Sequence, residues 1–147
     1  MLYVSGASRP MSEDDLQNIL LTSRKNNLRD GITGMLLWAD GVFIQILEGQ
    51  PAAVRSLVSR IQRDARHRNI MVVHEQSSEK RMFTQWSMGF KILDANRSSD
   101  KKLFQISRAA LADRITDDEG GLFLETVLAF SGDFMSAIEP SQRRAQA

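Results

Sequence analysis

Polar and apolar residues at the start of the chain are arranged so that a strand and then a helix are expected. Residues 2–5 alternate and are β-prone, which predicts a strand that begins almost at the first residue. Ser12 precedes three acidic residues, a pattern typical of a helix N-cap with negative charge in the first turn. Apolar residues at helical spacing follow, so we expect the first helix to end near Asn26.

The next stretch, residues 31–49, predicts a β-hairpin. Two apolar runs meet at Asp40 and Gly41, a dipeptide favoured in two-residue hairpin turns. In the second run, the amide side chain of Gln45 interrupts a row of apolar residues. A buried amide must find hydrogen-bond partners or cost about 1–3 kcal/mol, so Gln45 bonds either the protein or a polar ligand.

The remaining pattern completes an α+β arrangement. Pro51 suits the first turn of a second helix, whose amphipathic spacing ends near Asp64. Residues 70–73 predict a fourth strand, and residues 86–90 predict a fifth. The order βαββαββ predicts a ferredoxin-like fold with a five-stranded mixed sheet.

The third strand indicates that both faces of the sheet are covered, because both are apolar. Alternate residues of a strand point to opposite faces, and Gln45 shares its face with Phe43 and Leu47. The opposite face is formed by Val42, Ile44 and Ile46. Two helices are expected on the first face, and two C-terminal helices, over residues 101–115 and 121–137, on the second. We predict a main domain over residues 1–93, a helical extension packed on the sheet over 94–138, and a disordered tail over 139–147.

Composition limits the classes of function. The 147 residues carry a net charge of +1, so no global field favours nucleic acid or a membrane surface. The absence of cysteine and the presence of only two histidines argue against disulfides, thiolate catalysis and a metal site. No apolar run reaches the roughly 18 residues of a transmembrane helix, and the N-terminus lacks the basic region of a signal peptide. We expect a soluble cytoplasmic protein.

No catalytic constellation is evident, so we do not expect an enzyme. The chain lacks a supported Ser-His-acid set, a glycine-rich phosphate loop and an HExxH helix. The polar residues on apolar elements each have a structural interpretation: Asn26 and Asn27 can cap a helix, and Tyr3 can be a core residue with a satisfied hydroxyl. A cluster of basic residues is either a solvated helix end or an anion site for phosphate. The cluster consists of Arg60, Arg63, Arg66, His67 and Arg68.

The order of five motifs resembles the BLUF family, the blue-light sensors that use flavin. The motifs are Tyr-x-Ser from Tyr3, Ser-Arg-x-Asn-Asn-x-x-x-Gly-Ile-Thr-Gly from Ser23, Phe-x-Gln-x-Leu-Glu-Gly from Phe43, Asp-x-Arg-His from Asp64 and Trp-Ser-Met-Gly-Phe from Trp86. The resemblance covers about residues 1–93. Two residues precede Tyr3, fewer than the family usually has there, so we expect the first strand to be frayed at its start.

The resemblance implies a bound flavin, FAD or in some members FMN, between the two helices on one face of the sheet. Asn27 is expected to bond the flavin C4=O and N3–H edge, with Asn26 nearby. Gln45 is expected to face N5 and C4=O while bonded to Tyr3. The residues expected to pack around the ring are Ile19, Ser23, Phe43, Leu47 and Ile61. The residues expected on the ribityl and phosphate side are Arg60, Asp64, Arg66 and His67.

The resemblance also implies a light-driven switch. Excitation of the flavin would draw an electron and a proton from Tyr3 by way of Gln45. The radical pair would then recombine with the Gln45 amide rotated or tautomerised, which gives a red-shifted state. Trp86 and Met88, expected on the fifth strand, would exchange positions near Gln45 and pass the change to the C-terminal helices. We expect no catalytic effector domain after Leu93. The chain would therefore signal by binding a separate protein, as a homodimer or larger assembly, with no nucleic-acid or membrane partner.

Two alternatives remain open. A flavin-free ferredoxin-like module could serve protein interaction alone, and a colourless purified protein would favour it. A small acyl-phosphate hydrolase would need an arginine and an activating asparagine around one anion-binding loop. The only residues in the sequence that could form such a loop are Asn26, Asn27 and the basic residues within 60–68.

Overall fold

A five-stranded sheet with two helices forms the frame of the computed structural model, which describes residues 1–39, 41–84, 87–94, 96–97, 100–101, 121–122, 124–127 and 129. Its elements are β1 (Leu2–Ala7), α1 (Glu13–Asp30), β2 (Thr33–Ala39), β3 (Val42–Glu48), α2 (Pro51–Gln62), β4 (His67–His74) and β5 (Gly89–Ile92). This order confirms the predicted α+β fold.

The strand order β4-β1-β3-β2-β5 places β3 at the centre of the sheet. β1 runs antiparallel to β3 with Tyr3 opposite Gln45, whereas β2 and β5 are parallel, so the sheet is mixed. Ala39 lies opposite Val42, and Gly41 has a φ of 86°, which suits the tight turn of the predicted hairpin.

Each face of the sheet carries its own core, as the alternation along β3 predicts. α1 and α2 cover the face of Phe43, where their apolar residues join one buried cluster. The opposite cluster includes Ile44 of β3 together with Leu124 and Val127 from helical residues near the C-terminus. β3 is therefore shielded from water on both sides, and burial of this apolar area stabilises the fold.

The C-terminal part is described only in places. Residues 121–122, 124–127 and 129 are helical, in agreement with the helix predicted over 121–137. The helix predicted over 101–115 and the tail 139–147 lie outside the described residues, apart from Lys101. The division at residues 93 and 138 stays a prediction. No helix in the described part of the chain is long and apolar enough to cross a membrane.

α1 extends one turn beyond the prediction. Ser12 is its N-cap in a capping box, as expected, but the helix continues past Asn26 to Asp30. Gly31, in the left-handed conformation at φ 68°, closes it by donating its N–H to the Asn27 carbonyl. Asn26 and Asn27 therefore lie inside the helix and do not cap it.

Three other boundaries differ from the prediction. α2 ends at Gln62, short of Asp64. β4 begins at His67, not at residue 70, because His67 pairs with Ala7 of β1. β5 begins at Gly89, so Ser87 and Met88 of the predicted strand lie before it. The basic residues within 60–68 are thus divided among a helix, a turn and a strand, and do not form a single helix end.

The start of β1 is anchored, so the expected fraying is wrong. The Met1 amino group donates to the Leu47 carbonyl at 2.8 Å, and the Leu47 amide donates to the Met1 carbonyl at 2.9 Å. Leu2 and Tyr3 are fully buried. These paired main-chain bonds hold the first strand against β3 from its first residue.

Gly34 on β2 occupies a position where no side chain fits, because an added Cβ would clash with the Ile46 carbonyl oxygen of β3. We expect Gly34→Ala to lower the free energy of unfolding by about 3 kcal/mol or more, measured by urea denaturation. Gly121→Ala is the matched control, since its Cβ would meet the His74 ring at an ordinary 3.7 Å. Equal stabilities of the two variants would contradict the prediction.

Candidate functional site

The antiparallel register of β1 and β3 brings Tyr3 and Gln45 side by side. The Tyr3 hydroxyl donates to Gln45 Oε1, and both side chains are buried. Burial, with a smaller contribution from the charge of Asp64, raises the pKa of the Tyr3 phenol. The phenol therefore keeps its proton and acts as the donor toward Gln45.

The other end of the Gln45 amide faces a methionine. Gln45 Nε2 donates to Met88 Sδ at 3.3 Å, and a thioether sulfur is only a weak acceptor. In the described part of the chain, no other group accepts from this amide. Met88 lies just before β5, and Trp86, expected beside it, lies outside the described residues. The buried Gln45 amide thus has one strong partner and one weak partner.

Two side chains of α1 hold the main chain just before β5. Asn27 Nδ2 donates to the Ser87 carbonyl at 3.0 Å, and Arg24 Nε donates to the Met88 carbonyl at 2.9 Å. The ladder with β2 begins only at Gly89, because these two carbonyls face α1. The strand predicted over 86–90 is therefore wrong at Ser87 and Met88. Sequence reasoning did not single out Arg24, although it lies within the Ser-Arg-x-Asn-Asn motif.

A second buried amide has unused hydrogen-bonding capacity. Asn27 is 1% exposed, and its Oδ1 accepts no hydrogen bond from any residue that the structure describes. Leaving a buried acceptor unpaired costs about 1–3 kcal/mol, so such an atom indicates a missing polar partner. The apolar surroundings on this face of the sheet include Ile19, Phe43, Leu47 and the partly buried Ile61. Ser23 and Asn26 are half-buried on α1.

The residues expected on the phosphate side form two separate ion pairs. Arg60 of α2 pairs with Asp30 at the end of α1 at 3.0 Å, and Arg66 pairs with Asp64 at 2.6 Å. The Arg66 guanidinium lowers the pKa of the Asp64 carboxyl. Among the described residues, no hydrogen bond or ion pair joins Arg60 to Asp64, Arg66 or His67. The alternative of a small hydrolase stays a prediction.

His67 contacts both β1 and β3. Its Nδ1 shares a hydrogen bond of 2.8 Å with Ser5 Oγ, and its ring centroid lies 4.6 Å from that of Phe43. Trp38 lies equally close to Phe43 and was not singled out from the sequence. Burial lowers the pKa of His67, although the charge of Asp64 acts in the opposite direction. The imidazole is thus neutral near pH 7 and forms part of the wall beside Phe43.

Comparison with known sequences identifies the same region. The family model for BLUF, sensors of blue-light using FAD, matches residues 1–89. The beta subunit of a photoactivated adenylate cyclase from Euglena gracilis is 39% identical over 89 residues, which cover 60% of this chain and 10% of that protein. The corresponding Euglena longa subunit is 37% identical over the same share of each chain. The chain spans about a tenth of the length of these curated relatives.

Solved structures show the same fold. The ground state of BlsA has a TM-score of 0.69 and 28% identity, with 86% of this chain and 85% of that chain covered. BlrB, a BLUF protein in its dark state, has a TM-score of 0.65 and 29% identity, with 87% and 92% covered. A bacterial light-regulated adenylyl cyclase has a TM-score of 0.68 and 36% identity, with 74% of this chain but 33% of that chain covered.

We expect His67→Gln to remove part of the acid sensitivity of folding. The folded state holds the pKa of His67 below its ordinary 6.5, so the unfolded chain takes up the proton first and stability falls as the pH drops below about 7. The free energy of unfolding, measured by denaturant titration from about pH 8 to pH 5, should fall more steeply in the wild type. Above about pH 7 the two curves should run parallel, and equal slopes below pH 7 would contradict the prediction.

Proposed function

Because this chain belongs to the BLUF family of blue-light sensors that use flavin, we propose that Tyr3 and Gln45 form its photochemical switch. The BLUF domain itself is a sensor and not a catalyst. The observation that supports the proposal is the buried Gln45 amide, whose partners among the described residues are a phenol on one side and a methionine sulfur on the other. Such an amide can change partners with a small change in free energy.

The residues around Gln45 suit a flavin. Asn27 Oδ1, which has no hydrogen-bond donor among the described residues, can accept from a ring N–H, and Gln45 Nε2 can donate to a ring nitrogen or carbonyl. Asn26 would lie near the edge that Asn27 binds, and the residues that would pack around the ring are Ile19, Ser23, Phe43, Leu47 and Ile61. A flavin held there would supply blue-light absorption and, once excited, would accept one electron.

We propose FAD, the flavin that the family description names, with FMN as the alternative. Asp64, Arg66 and His67 would face the phosphate side of the cofactor, whereas Arg60 is left out because it pairs with Asp30. Mass spectrometry of the cofactor released by heating distinguishes the two flavins. Release of FMN alone would refute the assignment to FAD.

Tyr3 is the donor in this proposal. Its hydroxyl already donates to Gln45 Oε1, so the proton has a hydrogen-bonded path when the electron leaves the phenol. The electron and the proton then return to Tyr3, and the Gln45 amide is left either tautomerised or rotated, and rotation exchanges the atoms that face Tyr3 and Met88. An amide carries both donors and an acceptor, so the exchange alters hydrogen bonds without changing net charge. A hydrogen bond worth about 1 kcal/mol shifts a two-state equilibrium several-fold.

The signal would leave the switch through Met88. Met88 contacts Gln45 and leads directly into β5, while Leu124 and Val127 pack on the opposite face of the sheet. We propose that a separate effector protein reads the change at the C-terminal helical residues, and that the chain self-associates. Light scattering coupled to size-exclusion chromatography, in darkness and under blue light, measures the assembly, and a monomer in both conditions would refute self-association.

A light-minus-dark absorption spectrum of the purified chain tests the function as a whole. We expect bound flavin, a red shift of its absorption after blue light, and slow reversion in darkness. A colourless preparation would favour the flavin-free interaction module. Bound flavin without any light-induced shift would refute the switch.

Gln45→Leu should retain flavin but abolish the red shift, because leucine has the size of glutamine without its hydrogen-bonding atoms. The measurement is the light-minus-dark spectrum at matched flavin content. Gln50→Leu is the control, since Gln50 is exposed and makes no side-chain cap bond at the start of α2. A wild-type red shift in Gln45→Leu would rule out this role for Gln45.

Tyr3→Phe should block formation of the red-shifted state, because the ring stays buried while the electron- and proton-donating phenol is lost. Excitation should instead end mainly in fluorescence, so we expect the flavin fluorescence lifetime to lengthen at least roughly twofold. Time-resolved fluorescence and the light-minus-dark spectrum are the readouts. A photocycle identical to that of the wild type would show that Tyr3 is not the donor.

A further inference from the structure

Arg24 is a half-buried cation on α1 that contacts the main chain beside the switch. Its Nε donates to the Met88 carbonyl at 2.9 Å, and burial lowers the pKa of its guanidinium. In the described part of the chain, no carboxylate pairs with Arg24. Five other arginines do pair with carboxylates: Arg9, Arg29, Arg55, Arg60 and Arg66.

Partial burial of the Arg24 guanidinium costs free energy, so we expect the residue to have a role at this position. Partial burial of a guanidinium without an ion-pair partner is unfavourable, and exposed arginines normally turn to solvent or to a carboxylate. The bond to the Met88 carbonyl is charge-assisted and therefore stronger than a bond between neutral groups. This bond holds one main-chain atom in place, the carbonyl oxygen of Met88, and the sulfur of the same residue contacts Gln45.

We propose that Arg24 is a positioning residue for the photochemical switch, because it holds the Met88 main chain against α1 and so keeps the Met88 sulfur at Gln45 Nε2. The inference rests on the proposed function of Gln45. Asn27 provides a second attachment one residue earlier, at the Ser87 carbonyl. Asn27 is also proposed to bind the flavin. A substitution of Arg24 therefore weakens the attachment of this segment without removing a proposed flavin contact.

The consequence concerns the resting state. With Arg24 in place, Met88 returns to one position each time the Gln45 amide reverts. Without Arg24, the segment before β5 loses one of the two described side-chain hydrogen bonds from α1 and samples positions away from Gln45. The arrangement with Met88 at the amide is then less favoured, so thermal return from the red-shifted state should slow down.

The test compares Arg24→Gln with Lys25→Gln, which removes the same charge at an adjacent exposed position. Hydrogen exchange of the purified full-length chain in darkness reads the contact directly. We expect the amides of residues 87–90 to exchange roughly fivefold faster in Arg24→Gln and at the wild-type rate in Lys25→Gln. Equal exchange in the two variants would overturn the proposal.

The rate at which the absorption spectrum recovers in darkness measures how the Arg24 substitution affects the switch. Arg24→Gln should show a red shift of unchanged size that reverts at least roughly threefold more slowly than in the wild type. Arg24→Lys should restore recovery to within roughly twofold, because an ammonium group can still donate to the Met88 carbonyl. Wild-type recovery in Arg24→Gln, or equally slow recovery in Lys25→Gln, would overturn the proposal. A wild-type chain without any red shift would refute the proposed function, while the exchange data would still decide whether Arg24 holds the segment.

Discussion

A side-chain amide buried in an apolar sheet must be hydrogen-bonded, and that requirement at Gln45 organises the centre of this domain. β3 is the middle strand of five and is covered on both faces, so the Gln45 amide is shielded from bulk water. Tyr3 supplies a strong bond from β1, whereas Met88 supplies only a weak acceptor. Because the two sides of the amide are unequally satisfied, a small change in either partner can decide which way it faces.

The segment between β4 and β5 connects this amide to both faces of the sheet. At its end, Asn27 and Arg24 of α1 bind the carbonyls of Ser87 and Met88. Nearer its middle, the Glu48 carboxylate accepts from the amides of Met82 and Phe83 at 2.6 and 3.0 Å. The Phe83 side chain lies in the opposite core with Leu124 and Val127. One segment therefore touches the switch on one face and the C-terminal helical residues on the other.

The parts of the fold that follow from local pattern were predictable from the sequence. The alternation along β3, the turn at Gly41 and the N-cap at Ser12 each depend on residues that are neighbours in the chain. The ends of α1 and β4 were not predictable in the same way. Gly31 ends α1 later than its apolar spacing indicates, and pairing with Ala7 recruits His67 into β4 despite its basic neighbours.

The sequence by itself determined that a polar amide would lie on the helix-covered face of the central strand, since side-chain direction in a strand follows from parity alone. Only the tertiary structure decided that Arg60 pairs with Asp30 and not with Asp64, and that Arg24 binds the Met88 carbonyl. The reason is physical: a long charged side chain can reach several groups, and its partner depends on how elements distant in sequence pack together.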